Sequence, residues 1–118
     1  MEDYYKVEDK KDLFGICPFV TAQKIIGGKW MFLILYFLMT GTLRFNELQR
    51  RLPTLTQTTL TKQLRMMEEN GLVIRTVYSQ IPPKVEYSLT ELGKQFSPVL
   101  DALETWGDLY ISYLQCSK

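Results

Sequence analysis

The sequence predicts an α+β fold, in which helices precede and follow a small β-hairpin. Residues 42–72 carry two amphipathic helix patterns separated by a proline turn, and residues 73–89 carry two strand patterns separated by a loop. Helical periodicity returns from residue 90 onward. A chain of 118 residues is long enough for one domain and too short for two. We therefore expect a single domain over residues 1–118, with residues 1–12 as a flexible tail.

Composition excludes most classes of enzyme. The chain has no histidine and only two cysteines, Cys17 and Cys116. A Ser-His or Cys-His catalytic pair, a histidine iron site and a tetrahedral zinc cluster therefore lack the residues that they need. Lysine or carboxylate catalysis survives only as a formal alternative. We expect no enzymatic activity, no metal and no cofactor.

The sequence favours a cytoplasmic protein without a membrane segment. Residues 1–12 are acidic, whereas a signal peptide begins with positive charge followed by an apolar run. The most apolar stretch, residues 30–39, is about half as long as a bilayer core requires. In the reducing cytoplasm, we expect both thiols to be free.

Positive charge is concentrated in the middle of the chain. The net charge is +1 overall, but it is +4 over residues 44–84, −2 over residues 1–12 and −3 over residues 85–118. This pattern suits a protein whose centre faces a polyanion while its ends hold a partner subunit. An ordinary solvated surface also produces such a distribution, so the charge pattern alone is weak support.

The first two predicted helices are apolar. Pro18 starts a short helix over residues 19–26, which two glycines end. The next helix, over residues 30–39, is apolar on every side and is closed by a Thr-Gly pair. A helix without a polar face belongs in the centre of a core or in a subunit interface.

Two amphipathic helices follow, and together they predict a helix-turn-helix. Over residues 45–52, apolar residues recur at positions i, i+3 and i+7 until Pro53 ends the helix. The next segment, residues 55–72, has Thr56 as a good N-cap and Gly71 as the residue that ends the helix. Leu55 and Leu60 are spaced for a hydrophobic staple, and the buried stripe is Leu60, Leu64 and Met67. The second helix would be the recognition helix.

The strands and the C-terminal helices complete the prediction. Residues 73–78 and 85–89 read as two strands, and the loop between them contains two prolines. A hairpin directly after a recognition helix is the wing of a winged helix-turn-helix. Residues 90–118 form either one helix that Thr90 caps and that bends near Pro98, or a second helix that Ser97 caps. Their wide apolar face favours a dimer interface, so we expect flanking N- and C-terminal dimerisation helices.

Three sequence blocks in this order resemble the HxlR-type bacterial transcription regulators. The blocks are GGKW (27–30), RFNEL (44–48) and PPKVEYSLT (82–90), and the resemblance extends over residues 17–107. It implies a winged helix-turn-helix homodimer that binds pseudo-palindromic, double-stranded operator DNA. It also implies a role for a cysteine near the N-terminus, because some members of the family use one to sense oxidants, quinones or aldehydes.

The predicted DNA contacts lie on the helix-turn-helix and the wing. Lys62 and Arg65 follow the exposed face of the recognition helix, whose leading residues are placed to reach base edges. Arg44 precedes the first helix of the motif, where a guanidinium can hold a phosphate in bidentate fashion. The full set of candidates is Arg44, Asn46, Gln57, Thr58, Thr59, Thr61, Lys62, Arg65, Gln80 and Lys84.

Alternatives remain open for several of these positions. Arg44 could instead pair with an acidic neighbour, Thr59 could pack beside the preceding helix, and Arg75 on the first strand could be structural or a DNA contact. The chain departs from the family at Thr58, where a basic residue is frequent, and at Thr54, where glycine is common. The threonine-rich segment 54–61 favours a half-site that contains A·T pairs.

Cys17 is the candidate sensor of a small electrophile or oxidant. It directly precedes a helix that begins with Pro18, and the positive end of a helix dipole stabilises a thiolate. Cysteine is also a common small buried hydrophobe. Cys116 is expected to be a mobile, exposed thiol, and a bridge from Cys17 to Cys116 across a dimer is the alternative.

The sequence thus predicts a DNA-binding transcription regulator. One rival is a dimeric adapter whose winged-helix surface binds a protein, but an adapter does not need +4 over its central segment. A thiol oxidoreductase is a weaker rival, because the chain lacks a C-x-x-C pair and any basic partner next to Cys17.

Overall fold

A computed structural model describes residues 13–117 of the chain. The flexible tail expected at residues 1–12 lies outside the described residues. The elements in chain order are α1 (Pro18–Ile25), α2 (Met31–Met39), β1 (Leu43–Arg44), α3 (Phe45–Arg51), α4 (Gln57–Glu69), β2 (Val73–Tyr78), β3 (Lys84–Leu89), α5 (Glu91–Lys94) and α6 (Ser97–Cys116). The predicted α+β winged helix-turn-helix is confirmed: α3 and α4 are its helices, and β2 with β3 form its wing.

The sheet has three antiparallel strands in the order β1-β3-β2. The hairpin register runs from Val73 opposite Leu89 to Tyr78 opposite Lys84. The third strand, β1, pairs Arg44 with Glu86 and was not predicted, because two residues are too few to show alternation. Through β1, the segment that leads into α3 is hydrogen-bonded to the wing.

The hydrophobic core is centred on α2. Four of its side chains, Met31, Ile34, Leu35 and Leu38, are almost fully buried against residues of α3, α4 and the sheet. The other face of α2 is different, since Leu33 is 43% exposed and Tyr36 is 53% exposed. The expectation that an all-apolar helix belongs in a core is confirmed for one face, and the other face is open in the single chain.

The ends of α4 follow the predicted capping chemistry. Thr56 Oγ1 accepts a hydrogen bond from the backbone N–H of Thr59 at 3.1 Å, and Leu55 and Leu60 are both buried. After the helix, Gly71 adopts a φ of +78°, a conformation that glycine takes without strain. The predicted stripe of α4 is buried, and a polar residue, Gln63, is buried beside it.

The C-terminal segment consists of two helices. Thr90 Oγ1 accepts from the backbone N–H of Gly93 at 3.0 Å and donates to the carbonyl oxygen of Gly71 at 2.6 Å, so it caps α5 and also holds the end of α4. A turn at residues 95–96 then interrupts the helix, and α6 begins after it. Ser97 is the first residue of α6 and not its N-cap. The N-cap position is taken by Phe96, whose side chain makes no capping hydrogen bond.

Helix α6 has no buried residue in the single chain. Its exposed large apolar side chains are Val99, Trp106, Leu109, Tyr110, Ile111, Tyr113 and Leu114, each of them 41% exposed or more. An apolar surface of this extent is typical of an interaction site. Over residues 13–117, no helix is long and apolar enough to span a bilayer.

Candidate nucleic-acid interface

A side-chain hydrogen bond joins the first helix of the motif to the turn before the second. Gln49 on α3 donates from Nε2 to the carbonyl oxygen of Leu55 in the turn. Leu52 and Leu55 close the same turn from the inside, since both are buried in the core. The turn that precedes α4 is thereby held both by this hydrogen bond and by the core. Sequence patterns did not reveal this role of Gln49.

The exposed face of α4 carries the predicted contact residues. Gln57, Thr58, Lys62 and Arg65 are exposed, so their polar atoms are available to a ligand. Thr58 makes no side-chain hydrogen bond within residues 13–117. The exposed face of α4 therefore presents two positively charged side chains, Lys62 and Arg65, and polar residues at its N-terminal end.

The two neighbouring threonines are already engaged with the helix. Thr59 is exposed rather than packed beside α3, and its Oγ1 accepts a hydrogen bond from Thr56 Oγ1 at 2.9 Å. Thr61 is half-buried, and its hydroxyl donates to the carbonyl oxygen of Gln57 at 2.8 Å. The hydroxyl proton of Thr61 is thus used inside the protein, so this hydroxyl can only accept from a ligand, whereas Thr59 accepts from Thr56 and keeps its own proton available to donate.

Four of the other predicted residues meet in one groove. Arg44 and Asn46, at the start of α3, line this groove together with Gln80 and Lys84 of the wing, and Pro82 and Pro83 belong to the same lining. The pairing of β1 with β3 brings these distant segments together. The sequence suggested each residue separately, and the fold joins them into one surface, here called the wing groove.

Arg44 is exposed at the edge of the wing groove. Its backbone N–H donates to Glu47 Oε1 at 2.9 Å, which satisfies one of the free amides at the start of α3. Its guanidinium forms no ion pair with any carboxylate of residues 13–117. The alternative of a salt bridge with an acidic neighbour is therefore absent from the described part of the chain.

Lys84 is partly held by other residues of the wing. Its Nζ lies 3.8 Å from Glu86 Oε2 and 4.9 Å from the centre of the Tyr78 ring. A hydrogen bond between Tyr78 and Glu86, strengthened by the negative charge of Glu86, raises the pKa of the Tyr78 hydroxyl above its ordinary value. The sequence does not predict Glu86 as a site residue, although Glu86 is one of the polar residues that alternate with apolar residues along β3.

A second groove runs between α4 and β2. It is lined by Gln57, Thr61 and Arg65 of the predicted set, and also by Glu68 of α4 and Arg75 of β2. Arg75 is exposed and lies opposite Tyr87 in the hairpin register. The sequence left its role open, because the direction of a strand side chain depends on how the sheet packs against α4.

The comparisons with known proteins identify the family. A family model described as HxlR-like helix-turn-helix matches residues 25–115. The chain belongs to the HxlR family. An uncharacterised HTH-type transcriptional regulator of Methanothermobacter thermautotrophicus is 47% identical over 113 residues, which covers 96% of this chain and 86% of the relative. YdeP of Bacillus subtilis, another HTH-type transcriptional regulator, is 47% identical over 104 residues, covering 88% of this chain and 81% of its own.

Solved structures with the same fold include a regulator described as a redox regulator. The reduced form of the redox regulator HypR has a TM-score of 0.79 and 43% identity, and it covers 84% of this chain and 98% of its own. The reduced form of the transcriptional regulator YodB from Bacillus subtilis has a TM-score of 0.70 and 35% identity, with 79% and 92% covered. This HxlR-family chain is a transcriptional regulator, and the resemblance noted in its sequence is confirmed.

The two thiols of this HxlR regulator lie in different environments. Cys17 is 3% exposed and occupies the N-cap position of α1, and its backbone N–H donates to the carbonyl oxygen of Leu13 at 2.8 Å. Cys116 is exposed in the last turn of α6. A buried thiol fits the alternative of a small hydrophobe, and a reagent reaches it only if the start of α1 opens. Residues 13–117 contain no cluster of metal-ligating side chains.

Proposed function

We propose that two copies of this HxlR regulator bind a pseudo-palindromic operator, each with α4 in the major groove and the wing beside the adjacent backbone. One observation carries the proposal: nearly all of the predicted contact residues lie on exposed parts of α4 or in the wing groove. A helix-turn-helix dimer reads half-sites about one helical turn of DNA apart, so its operator mirrors the two-fold symmetry of the protein.

We assign different roles to the cations and to the leading residues of α4. Lys62, Arg65 and Arg44 hold phosphates, which fixes the position of the protein but carries no sequence information. Gln57 and Thr58 lie at the leading end of α4 and contact base edges. Thr58 has its hydroxyl and methyl both available, which suits an A·T pair in the half-site.

The division of the chain follows from the same proposal. Residues 42–72 form the helix-turn-helix, residues 73–89 the wing, and residues 90–118 the dimerisation helices. The exposed apolar side chains of α6 support this division, because a second copy would remove them from water.

We propose that Cys17 makes the regulator responsive to a thiol oxidant or electrophile. The similarity to HypR, which is described as a redox regulator, supports this role. The buried thiol lies directly before α1, so modification adds volume where there is no space and displaces the start of that helix.

A fluorescence-anisotropy titration tests the operator proposal. The protein is titrated against the duplex upstream of its own gene and against a scrambled duplex, at two salt concentrations, with and without a mild thiol oxidant. Lys62→Ala should weaken binding to both duplexes and lower the salt slope by about one. Thr58→Ala should change the preference between the duplexes more than the overall affinity.

A control variant and two outcomes make the titration decisive. Lys94→Ala removes a lysine of α5 that lies outside both grooves, so it should leave the salt slope unchanged. Equal losses on both duplexes for Thr58→Ala would contradict base contact, and binding to neither duplex would favour the adapter. Loss of binding on oxidation in the wild type, with retention in Cys17→Ser, supports the thiol role, and indifference of the wild type to oxidant removes it.

A further inference from the structure

The groove between α4 and β2 contains two arginines that reach it from different elements. Arg65 projects from the exposed face of α4, and Arg75 projects from β2. The half-buried Phe45 and Val85 and the buried Tyr87 form its apolar lining. The two exposed guanidiniums thus border a groove whose floor is partly apolar.

Neither guanidinium is neutralised by the described residues. Within residues 13–117, no ion pair involves Arg65 or Arg75. Glu68, one turn beyond Arg65 on the same helix, lines the groove without pairing to either arginine. Two like charges that face one groove repel each other, and an anion between them relieves that repulsion.

The chemistry of the groove selects a phosphate. Guanidinium groups present pairs of N–H donors that match two phosphate oxygens in bidentate geometry. Gln57 and Thr61 line the same groove and also belong to the face of α4 that is proposed to meet DNA. A DNA backbone that follows this face therefore passes the mouth of the groove.

We propose that Arg65 and Arg75 together hold one phosphate of the DNA backbone in the groove between α4 and β2. This assignment rests on the proposed function and adds Arg75 as a positioning contact. The short turn at Gly71 joins α4 to β2, and Thr90 ties that turn to α5, so the two arginines keep their spacing when DNA binds. The phosphate then fixes how far α4 enters the major groove.

A double-mutant cycle tests whether the arginines share one phosphate. Arg65→Ala, Arg75→Ala and the double variant are titrated against the operator and the scrambled duplex. Each single change should weaken binding to both duplexes about tenfold, the loss that corresponds to one charge-assisted hydrogen bond. The double variant should lose less than the product of the two single losses, because the first change already releases the shared phosphate.

Two further variants control for charge and for folding. Arg50→Ala removes the same charge from α3 outside this groove, so it should weaken binding less than Arg75→Ala does. Arg75→Gln keeps most of the side chain on the strand, and circular dichroism of each variant verifies that it is folded. Arg75→Gln should lose affinity on both duplexes as Arg75→Ala does.

The outcomes separate this assignment from the proposed function. A wild-type protein that binds neither duplex overturns both. A wild-type protein that binds its operator, with folded Arg75 variants that bind equally well, overturns the role of Arg75 alone. Losses that multiply in the double variant show two separate phosphates and overturn the shared site.

Discussion

Replacing Glu86 with glutamine should tighten DNA binding. In the single chain, the carboxylate of Glu86 lies 3.8 Å from Lys84 Nζ and holds that ammonium group inside the wing. A phosphate that approaches the wing groove must compete with this carboxylate and is also repelled by it. Glutamine keeps the size and polarity of the side chain while it removes the charge.

The geometry of the pair sets the size of the effect. At 3.8 Å, two unit charges attract by about 1 kcal/mol in water. The side chains of Lys84 and Glu86 are 26% and 20% exposed, and measured pairs near a surface contribute about 0 to 1 kcal/mol. Release of Lys84 should therefore tighten binding by up to about fivefold, which corresponds to 1 kcal/mol.

Fluorescence anisotropy with the operator and the scrambled duplex measures the gain. We expect Lys84 to contact a phosphate rather than a base, so both duplexes should bind Glu86→Gln more tightly, and the gain should shrink as salt rises. Glu104→Gln on α6 makes the same change in net charge away from the wing. If Glu86→Gln binds no more tightly than Glu104→Gln, the carboxylate does not restrain Lys84 and the reasoning is wrong.

Stability and titration measurements test three local contacts. Gly93→Ala would place Cβ 2.3 Å from the carbonyl oxygen of Leu72, so the backbone must move. We expect the free energy of unfolding to fall by about 1–3 kcal/mol, with a lower midpoint in urea denaturation. An unchanged midpoint would contradict the contact. Thr56→Ala removes the N-cap of α4 and should cost about 1 kcal/mol in the same assay, whereas Thr56→Ser, which retains the hydroxyl, should cost less. The pKa of Tyr78 in the folded protein lies above its value in the unfolded chain, so this residue makes the free energy of unfolding fall as pH rises past about 10. In Glu86→Gln, NMR titration should show the pKa of Tyr78 closer to its ordinary value. An unchanged pKa would exclude the hydrogen bond with Glu86.

Local signals in the sequence were enough to predict most elements. The N-cap at Thr56 and the left-handed Gly71 are set by a few neighbouring residues, and both lie where the sequence placed them. The strand β1 and the burial of Gln63 were missed, because each depends on residues far along the chain. Gly28 packs so closely on the Gln63 amide that a Cβ at that glycine would lie 2.6 Å from Nε2.

The sequence predicts which residues belong to the candidate site, but it does not predict which of them share a groove. The sequence indicates Arg44 and Lys84 separately, and their meeting in the wing groove depends on the pairing of β1 with β3. The positions of Arg75 and Glu86 depend on the hairpin register and on the packing of the sheet, which a sequence pattern does not fix. Charge pattern and motif therefore locate the interface, and long-range pairing decides which side chains share a groove.

The two-residue strand β1 has a consequence for how this regulator can be switched. It fastens the start of α3 to the wing, while the Thr90 hydroxyl fastens the end of α4 to α5. We therefore expect the helix-turn-helix and the wing to move together, which leaves a signal that arrives at α1 little freedom to reshape them. We expect such a signal to act instead on the separation and relative rotation of the two helix-turn-helix motifs in the proposed dimer. Successive half-sites lie about 34 Å apart along the DNA. Even a small change in the distance between the two recognition helices therefore moves one of them out of register with its major groove.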